Sequence, residues 1–443
     1  MSQKIVLVFP FIDDEKEHHH IPLSTLSVSA PLQRLGVEFE IFDQRVEAPE
    51  RLDALIEDAF LLGVTMFTGF QTHCGYEILK KAKKARPGII TVAGGPHVTA
   101  LPAQAAEDEN IDYAVAGFGE APFYELMVEL LERGHVNGHH IPGLYHKAQS
   151  ELCFTPTTRK FDGEFWDPLP YEKIDINNYI NAATNRVMYV AHYGCPARCT
   201  FCATTHYRKW TPKPIEFIEK DLEQLYAHFP FEEMCFFDAT LFTRKDRVGA
   251  VIDCLDPYPG TRWMADARAV ELNKYSTDDL IEIRDKKAEL QFLIVGLESG
   301  SPYIAEEVMK KGKKHLDMFR TVAHRMHEAE IQMMSGLIFG IPGETTEDLK
   351  KTIDYIWEIR DIHPAFKLSS TFFRPLPGTE LYDVVEKQGF IPQKNLAEWA
   401  AVGKTSHFKY NEWMDIPWME EGEKARYRKL YDEFTDQHAD ILE

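Results

Sequence analysis

At 443 residues the chain is long for one ordinary domain, and two to three domains are expected. Hydrophobic residues make up 44% and aromatics 12%, enough for substantial cores, which excludes a disordered chain. A formal charge of −21 excludes a nucleic-acid backbone as main partner, because phosphate binding needs a basic surface. No uninterrupted apolar run reaches membrane-spanning length, and the N-terminus runs straight into a strand-like stretch without a signal peptide. A cytoplasmic protein with no membrane partner is therefore expected. The seven cysteines, an odd number with three clustered, point to a reducing compartment and a metal site rather than a disulfide framework.

Residues 4–10 form a short apolar run ended by Pro10, suited to a buried parallel strand. A helical stretch follows over 23–35, then a strand over 37–43, and the rhythm repeats with strands at 61–66, 89–95 and 113–117 and helices at 75–85 and 102–107. Alternation of this kind predicts a doubly wound, Rossmann-like parallel sheet over residues 1–140, with its ligand beyond the carboxyl ends of the strands. Thr68-Gly69, Gly94-Gly95-Pro96-His97 and Gly117-Phe118-Gly119-Glu120 fall at or just after those ends, where glycine lets a bulky ligand approach the backbone. His18-His19-His20 reads as a polar loop on the ligand side of the sheet, with a metal tract as the rival reading.

Residues 141–185, broken by Pro142, Gly143, Pro156, Pro168 and Pro170, read as a linker. Strands are then predicted at 186–191, 233–238, 262–266, 290–296, 333–340 and 367–372 with helical stretches between them, giving a β/α barrel over 186–380. Residues 381–443 read as a helical tail with Trp399, Trp413 and Trp418; residues 410–418 are candidates for lining a pocket, and the charged last helix is expected to cap the barrel from outside.

Directly after the first barrel strand comes Tyr193-Gly194-Cys195-Pro196-Ala197-Arg198-Cys199-Thr200-Phe201-Cys202. Cys195, Cys199 and Cys202, at spacing C-x3-C-x2-C, offer three thiolates from one loop, enough to hold an iron–sulfur cube by three of its four irons and leave the fourth open. The alternative is a zinc knuckle completed by His192 or His206, or three unrelated thiols.

This loop, with Phe201 before its third cysteine, resembles the cluster loop of the radical S-adenosylmethionine (SAM) superfamily. Several later stretches match as well. Six strands suggest the partial (β/α)6 barrel of that family. Gly94-Gly95-Pro96-His97 and Gly117-x-Gly119-Glu120 resemble the cobalamin-binding domain that precedes the barrel in one large subgroup. The resemblance implies that a reduced [4Fe-4S] cluster, chelated by SAM, cleaves it to methionine and a 5′-deoxyadenosyl radical. It implies that Phe201, Asp238, Arg262, Arg268, Glu298, Ser299, Ile338 and Gly340 meet SAM: Asp238 its ammonium, Arg262 or Arg268 its carboxylate, and Ile338 and Gly340 its adenine. It implies that Thr68, Gly69, Gly94, Gly95, Pro96, His97, Gly117, Gly119 and Glu120 meet cobalamin. The Asp-x-His-x-x-Gly signature that places a histidine beneath cobalt is absent, so cobalamin is expected without it. A sheet that has lost this ligand or binds another nucleotide-like molecule is the alternative.

The implied function is a cobalamin-dependent methyltransferase acting on carbon or phosphorus of a small-molecule biosynthetic intermediate, reduced by a flavodoxin or ferredoxin. The alternative is an oxidative cyclase or rearrangement enzyme of the same subgroup that transfers no methyl group. A tRNA methylthiotransferase lacks support, since its N-terminal cysteine trio is absent and the charge is wrong for RNA. A non-catalytic cluster carrier would leave the strand-end motifs without purpose. Cys74, Cys153, Cys235 and Cys254 show no C-x2-C pairing and read as buried small hydrophobes, one of them a possible catalytic thiol.

Overall fold

The computed structural model describes residues 4–12, 20–136, 140–148, 151–158, 160–179, 185–404, 416–437 and 441. His18, His19 and residues 410–415 of the proposed pocket lining lie outside them. The chain divides into two compact units. Among the described residues no helix is long and apolar enough to cross a membrane.

The first unit holds Met1–Ala183, His206–Pro230 and Pro392–Lys409. Its strands are β1 (Ile5–Phe9), β2 (Phe39–Asp43), β3 (Leu61–Thr65), β4 (Ile90–Gly94), β5 (Tyr113–Val115), β6 (Leu144–Ala148) and β7 (Glu151–Phe154). They form one sheet in the order β2-β1-β3-β4-β5-β6-β7. Side chains alternate across a strand: Ile5 and Leu7 enter one apolar core with Leu61, Val92 and Leu126, while Val6 and Val8 enter another with Leu62, Val64 and Ile78. Burial on both faces is why β1 reads as an unbroken apolar run.

The first five strands pair in parallel, and β6 and β7 add to the edge antiparallel. The stretch read as a linker thus contributes two strands. They are short and half-exposed, with Tyr145 stacked on Phe154 at 5.1 Å, so no apolar periodicity marks them. The tail also returns here: the helix Leu396–Gly403 sends Leu396 into the core shared with Val64 and buries Trp399.

The second unit holds Thr184–Thr205, Phe231–Ile391 and Tyr410–Glu443. Its six-stranded parallel sheet contains β8 (Arg186–Tyr189), β11 (Glu233–Phe236), β12 (Arg262–Ala267), β13 (Glu289–Val295), β14 (Gln332–Phe339) and β15 (Lys367–Phe372), with β9 (His192–Tyr193) here and β10 (Thr211–Pro212) in the first unit. Each strand pairs with its predecessor in this sheet, β8 and β15 being the edges, as a partial barrel requires. A capping box between Thr345 and Asp348 starts the helix Thr346–Ile362 beyond β14. The last helix, Glu421–Gln437, does more than cover the surface. Its Tyr427 is fully buried and donates to Glu344 at 2.8 Å, while Phe434 is 3% exposed.

Candidate active site

β8 and β9 deliver the chain into the cysteine loop, and Gly194 turns it with φ 79°. The loop is tied at both ends. At its entry, Asp238, just past β11, takes His192 Nδ1 at 2.8 Å and the Ala191 N–H at 3.1 Å, with His192 and Asp238 each nine-tenths buried or more. At its exit, the Thr200 N–H donates to Met309 O at 3.1 Å, the Thr200 hydroxyl donates to Val308 O at 2.7 Å, and the Leu381 N–H donates to Thr200 O at 3.0 Å. Phe201 packs into an apolar cluster with Ile304, Met309, Ile341 and Phe373.

Cys195, Cys199 and Cys202 carry free thiols, and the Cys202 N–H donates to Cys199 O at 3.3 Å. Burial pushes the Cys195 and Cys199 thiols up, while the cations of Arg268 and Lys311 draw Cys199 back and Arg268 draws Cys195 back. Among the described residues no three His, Cys, Asp or Glu side chains converge on one metal ion. A cube gives each thiolate its own iron, so three thiolates from one loop fit it.

The strand ends of the barrel carry two of the expected polar residues to the region of the loop. Arg268, just after β12, pairs with Glu271 at 2.9 Å. Glu298, after β13, holds a left-handed backbone at φ 67° and pairs with Lys311 at 3.0 Å. Both Lys311 and Glu298 act on the Cys199 thiol, and Arg268 acts on Cys195 and Cys199.

Five other expected residues are engaged by the protein itself. Arg262 opens β12 and pairs with Glu233, the first residue of β11, which also takes Arg186 and Gln291. It lies six residues before Arg268 along the strand, about 20 Å at ~3.3 Å per residue, so it belongs to the opposite end of the barrel. Asp238 already holds His192 and the Ala191 N–H, so it braces the loop rather than offering an open acceptor. Ser299 is fully buried, with its hydroxyl against Thr352 at 3.2 Å and accepting from the Ser301 N–H, which turns it into the helix packing. Gly340, at φ 73°, is enclosed by its own partners: its N–H reaches Glu344 at 2.8 Å and its carbonyl accepts from Trp418 at 2.9 Å. Ile338 is half-buried against the Ile304–Ile341 cluster.

Two groups escaped the sequence reading. Lys311 lies in a lysine-rich run that looks like a solvated loop, yet it is 5% exposed. Asp266 shares a strand face with Met264 and Arg268. Burial, with the charges of Asp238 and Glu298, pushes it up to about 7. The Cys235 thiol is pushed up to about 12 by burial and by Asp266. The alternation within β12 was the available signal.

Because the folded protein disfavours ionised Asp266, its penalty is absent below pH ~4 and complete above its folded value of about 7. Asp266→Asn is therefore expected to melt higher than the parent at pH 8, by up to ~4 kcal/mol for a shift of ~3 units, and no higher at pH 4. A gap independent of pH in melts of the metal-free protein would remove titration of Asp266 as its source.

In the first unit, the glycines after β4 and β5 meet protein. Gly95 has φ 94°, and a Cβ there would lie 2.7 Å from Met66 O and Thr65 Oγ1. Gly117 has φ 87°, its N–H donates to Thr99 Oγ1 at 3.0 Å, and a Cβ would strike Thr157. A Cβ at Gly119 would meet Val28 at 3.1 Å. Gly69, at φ 121°, supports Gly403 of the tail helix, whose added Cβ would strike the Gly69 carbonyl. Glu120 is buried, accepting from the Ser27 hydroxyl at 2.6 Å. His97 is buried between Thr68, at 3.0 Å, and the Trp399 ring at 5.3 Å; burial pushes its imidazole down to about 3, so it stays neutral and inside. Thr68, His97 and Glu120 are therefore spent on packing. Half-buried Phe67, Gly94, Gly95, Pro96 and Phe118 remain at the strand ends. That edge offers backbone and apolar surface without charge, which fits an amide-rimmed macrocycle such as cobalamin, and His97 is not placed to ligate its metal.

A B12 binding domain model matches residues 13–127, and a radical SAM superfamily model matches residues 189–356. An uncharacterised methyltransferase of Pyrococcus horikoshii is 23% identical over 360 residues, 80% of this chain and 75% of that protein. The cytidylyl-2-hydroxyethylphosphonate methyltransferase of Streptomyces wedmorensis is 23% identical over 442 residues, 85% of this chain and 80% of that protein. Among solved structures, the radical SAM methyltransferase TsrM of Kitasatospora setae, with cobalamin and a [4Fe-4S] cluster bound, superposes with a TM-score of 0.68 at 16% identity, over 88% of this chain and 75% of that one. At that identity the likeness is one of fold. The chain belongs to the radical SAM superfamily, in the group that carries a B12 binding domain ahead of the radical SAM domain. A [4Fe-4S] cluster, SAM and cobalamin are the cofactors that these two domain types imply.

Proposed function

We propose that the chain is a cobalamin-dependent radical SAM methyltransferase that modifies a carbon or phosphorus centre of a small biosynthetic intermediate. The observation that carries this is the joining, in one chain, of a cysteine trio at C-x3-C-x2-C spacing in a radical SAM domain to a B12 binding domain ahead of it. Relatives named for methyl transfer, one of them to a phosphonate, support it.

When bound, the cluster and SAM supply the radical chemistry and cobalamin the methyl carrier, which leaves the protein to bind, orient and exclude water. Cys195, Cys199 and Cys202 would hold the cluster, braced by Asp238 through His192 and by the Thr200 contacts. Arg268 is the guanidinium available to a carboxylate, and Glu298 the carboxylate available to SAM's polar groups. The chain works in a reducing cytoplasm with a flavodoxin or ferredoxin as electron donor. Its charge of −21 speaks against RNA as acceptor.

The test is anaerobic reconstitution with iron, sulfide and hydroxocobalamin, followed by incubation with methyl-labelled SAM. Stoichiometric corrinoid and iron, with S-adenosylhomocysteine formed, are expected. Formation of 5′-deoxyadenosine alone would favour a cyclase or rearrangement enzyme, and iron without corrinoid would end the methyl-transfer reading.

A further inference from the structure

Lys311 is 5% exposed, and an ammonium group taken out of water carries a large desolvation cost unless it is paired. Its partner Glu298, at 3.0 Å, compensates it in part. The backbone is bent to build this pair. Glu298 sits at φ 67° and Lys310 at φ 53°, conformations that cost a non-glycine residue on the order of 1 kcal/mol or more. Tyr303–Val308 winds as a π-helix, a form that concentrates at functional sites. The pair packs against Gly296, where a Cβ would lie 2.5 Å from Glu298 Oε1 and 3.0 Å from Lys311 Nζ and would displace those side-chain ends.

The same segment grips the cysteine loop. Val308 and Met309, three and two residues before Lys311, take both hydrogen bonds from Thr200, the neighbour of Cys199. The Lys311 N–H donates back to Ala305 O at 2.9 Å, so the lysine cannot drift from this anchor. A [4Fe-4S]²⁺ cube on three thiolates has a net charge of −1, and reduction by one electron makes it −2. Addition of an electron to an anion is opposed by its own charge, and a fixed cation in a low-dielectric surround offsets that opposition.

We propose that Lys311 sets the reduction potential of the cluster held by Cys195, Cys199 and Cys202. In that step one electron passes from a flavodoxin- or ferredoxin-class donor into the cluster, no bond is made or broken, and no proton moves. Lys311 is a positioning charge that stabilises the reduced state, and Glu298 moderates it. The proposal rests on the cluster assignment above.

The experiment is an anaerobic redox titration of the reconstituted protein without SAM, followed by electron paramagnetic resonance, on the parent, Lys311→Met, Lys311→Arg and Glu298→Gln. Lys311→Met is expected to keep its iron and to shift the reduced-to-oxidised ratio at fixed potential at least tenfold toward oxidised, 59 mV for one electron. Lys311→Arg should stay near the parent. Glu298→Gln, which leaves the lysine uncompensated, should shift the other way, and it keeps the test open should Lys311→Met fail to take up a cluster. An unmoved midpoint in the variants that carry full iron overturns the proposal. Loss of SAM affinity in Lys311→Met at an unchanged midpoint overturns it too, by making the lysine a ligand of SAM. A parent protein that binds no iron overturns the cluster assignment, and the proposal falls with it.

Discussion

Cys199→Ala is expected to bring the iron content of the reconstituted protein close to background and to abolish SAM cleavage. In the proposed cluster each thiolate would be the one protein ligand of its iron. Loss of a ligand therefore exceeds the roughly 10–100-fold in affinity that loss of a supporting contact costs. The graded comparison is Asp238→Asn, which keeps the thiols and weakens only the hold on His192 and the Ala191 N–H. Iron assays and the visible spectrum of both variants separate the two cases. Retained cleavage in Cys199→Ala would sink the assignment of this loop as the cluster loop, and equal loss in both would make the loop's shape, rather than its ligands, limiting.

Gly95→Ala is expected to destabilise the first unit by about 3–5 kcal/mol even with no corrinoid present. The backbone at φ 94° and ψ −178° belongs to a region open almost only to glycine, which costs about 1–3 kcal/mol. Overpacking adds a similar amount, because the new methyl would lie 2.7 Å from Met66 O and Thr65 Oγ1 and 2.8 Å from Met66 N. The first transition in a thermal melt should fall by about 10 °C. Gly94→Ala is the control, since its Cβ would meet nothing nearer than Val115 O at 3.7 Å. A melt that stays put while corrinoid binding is lost would return Gly95 to the role the sequence suggested, a gap left for the cofactor.

These two positions show where legibility ended. The cysteine loop was readable because three ligands from ten consecutive residues carry their spacing in the chain itself. The glycines were located correctly at strand ends, but what each faces depends on a strand or loop distant in sequence: Met66 for Gly95, Thr157 for Gly117, and Gly69 for Gly403. Arg262 and Arg268 looked interchangeable as partners for a carboxylate. Only the parallel register that sets Glu233 beside Arg262 assigns one to the base of the barrel and leaves the other near the cysteines. Asp238 kept its place at a strand end and changed its task, because His192 of β9, distant in sequence, comes to it.

The amino-acid sequence by itself, with the B12-type domain and the partial barrel coming only through the family resemblance, determined the β/α rhythm of two parallel sheets and the trio of thiols. These follow from periods of two and 3.6 and from spacings within one loop, which need no partner elsewhere. Tertiary structure alone decided that β6 and β7 extend the first sheet, that Trp399 closes over His97, and that a lysine from an apparently solvated run is buried against Glu298 beside the cluster loop. The physical reason is common to all three. Burial and charge pairing are settled by residues far apart in the chain, and local pattern carries no record of which of them will meet.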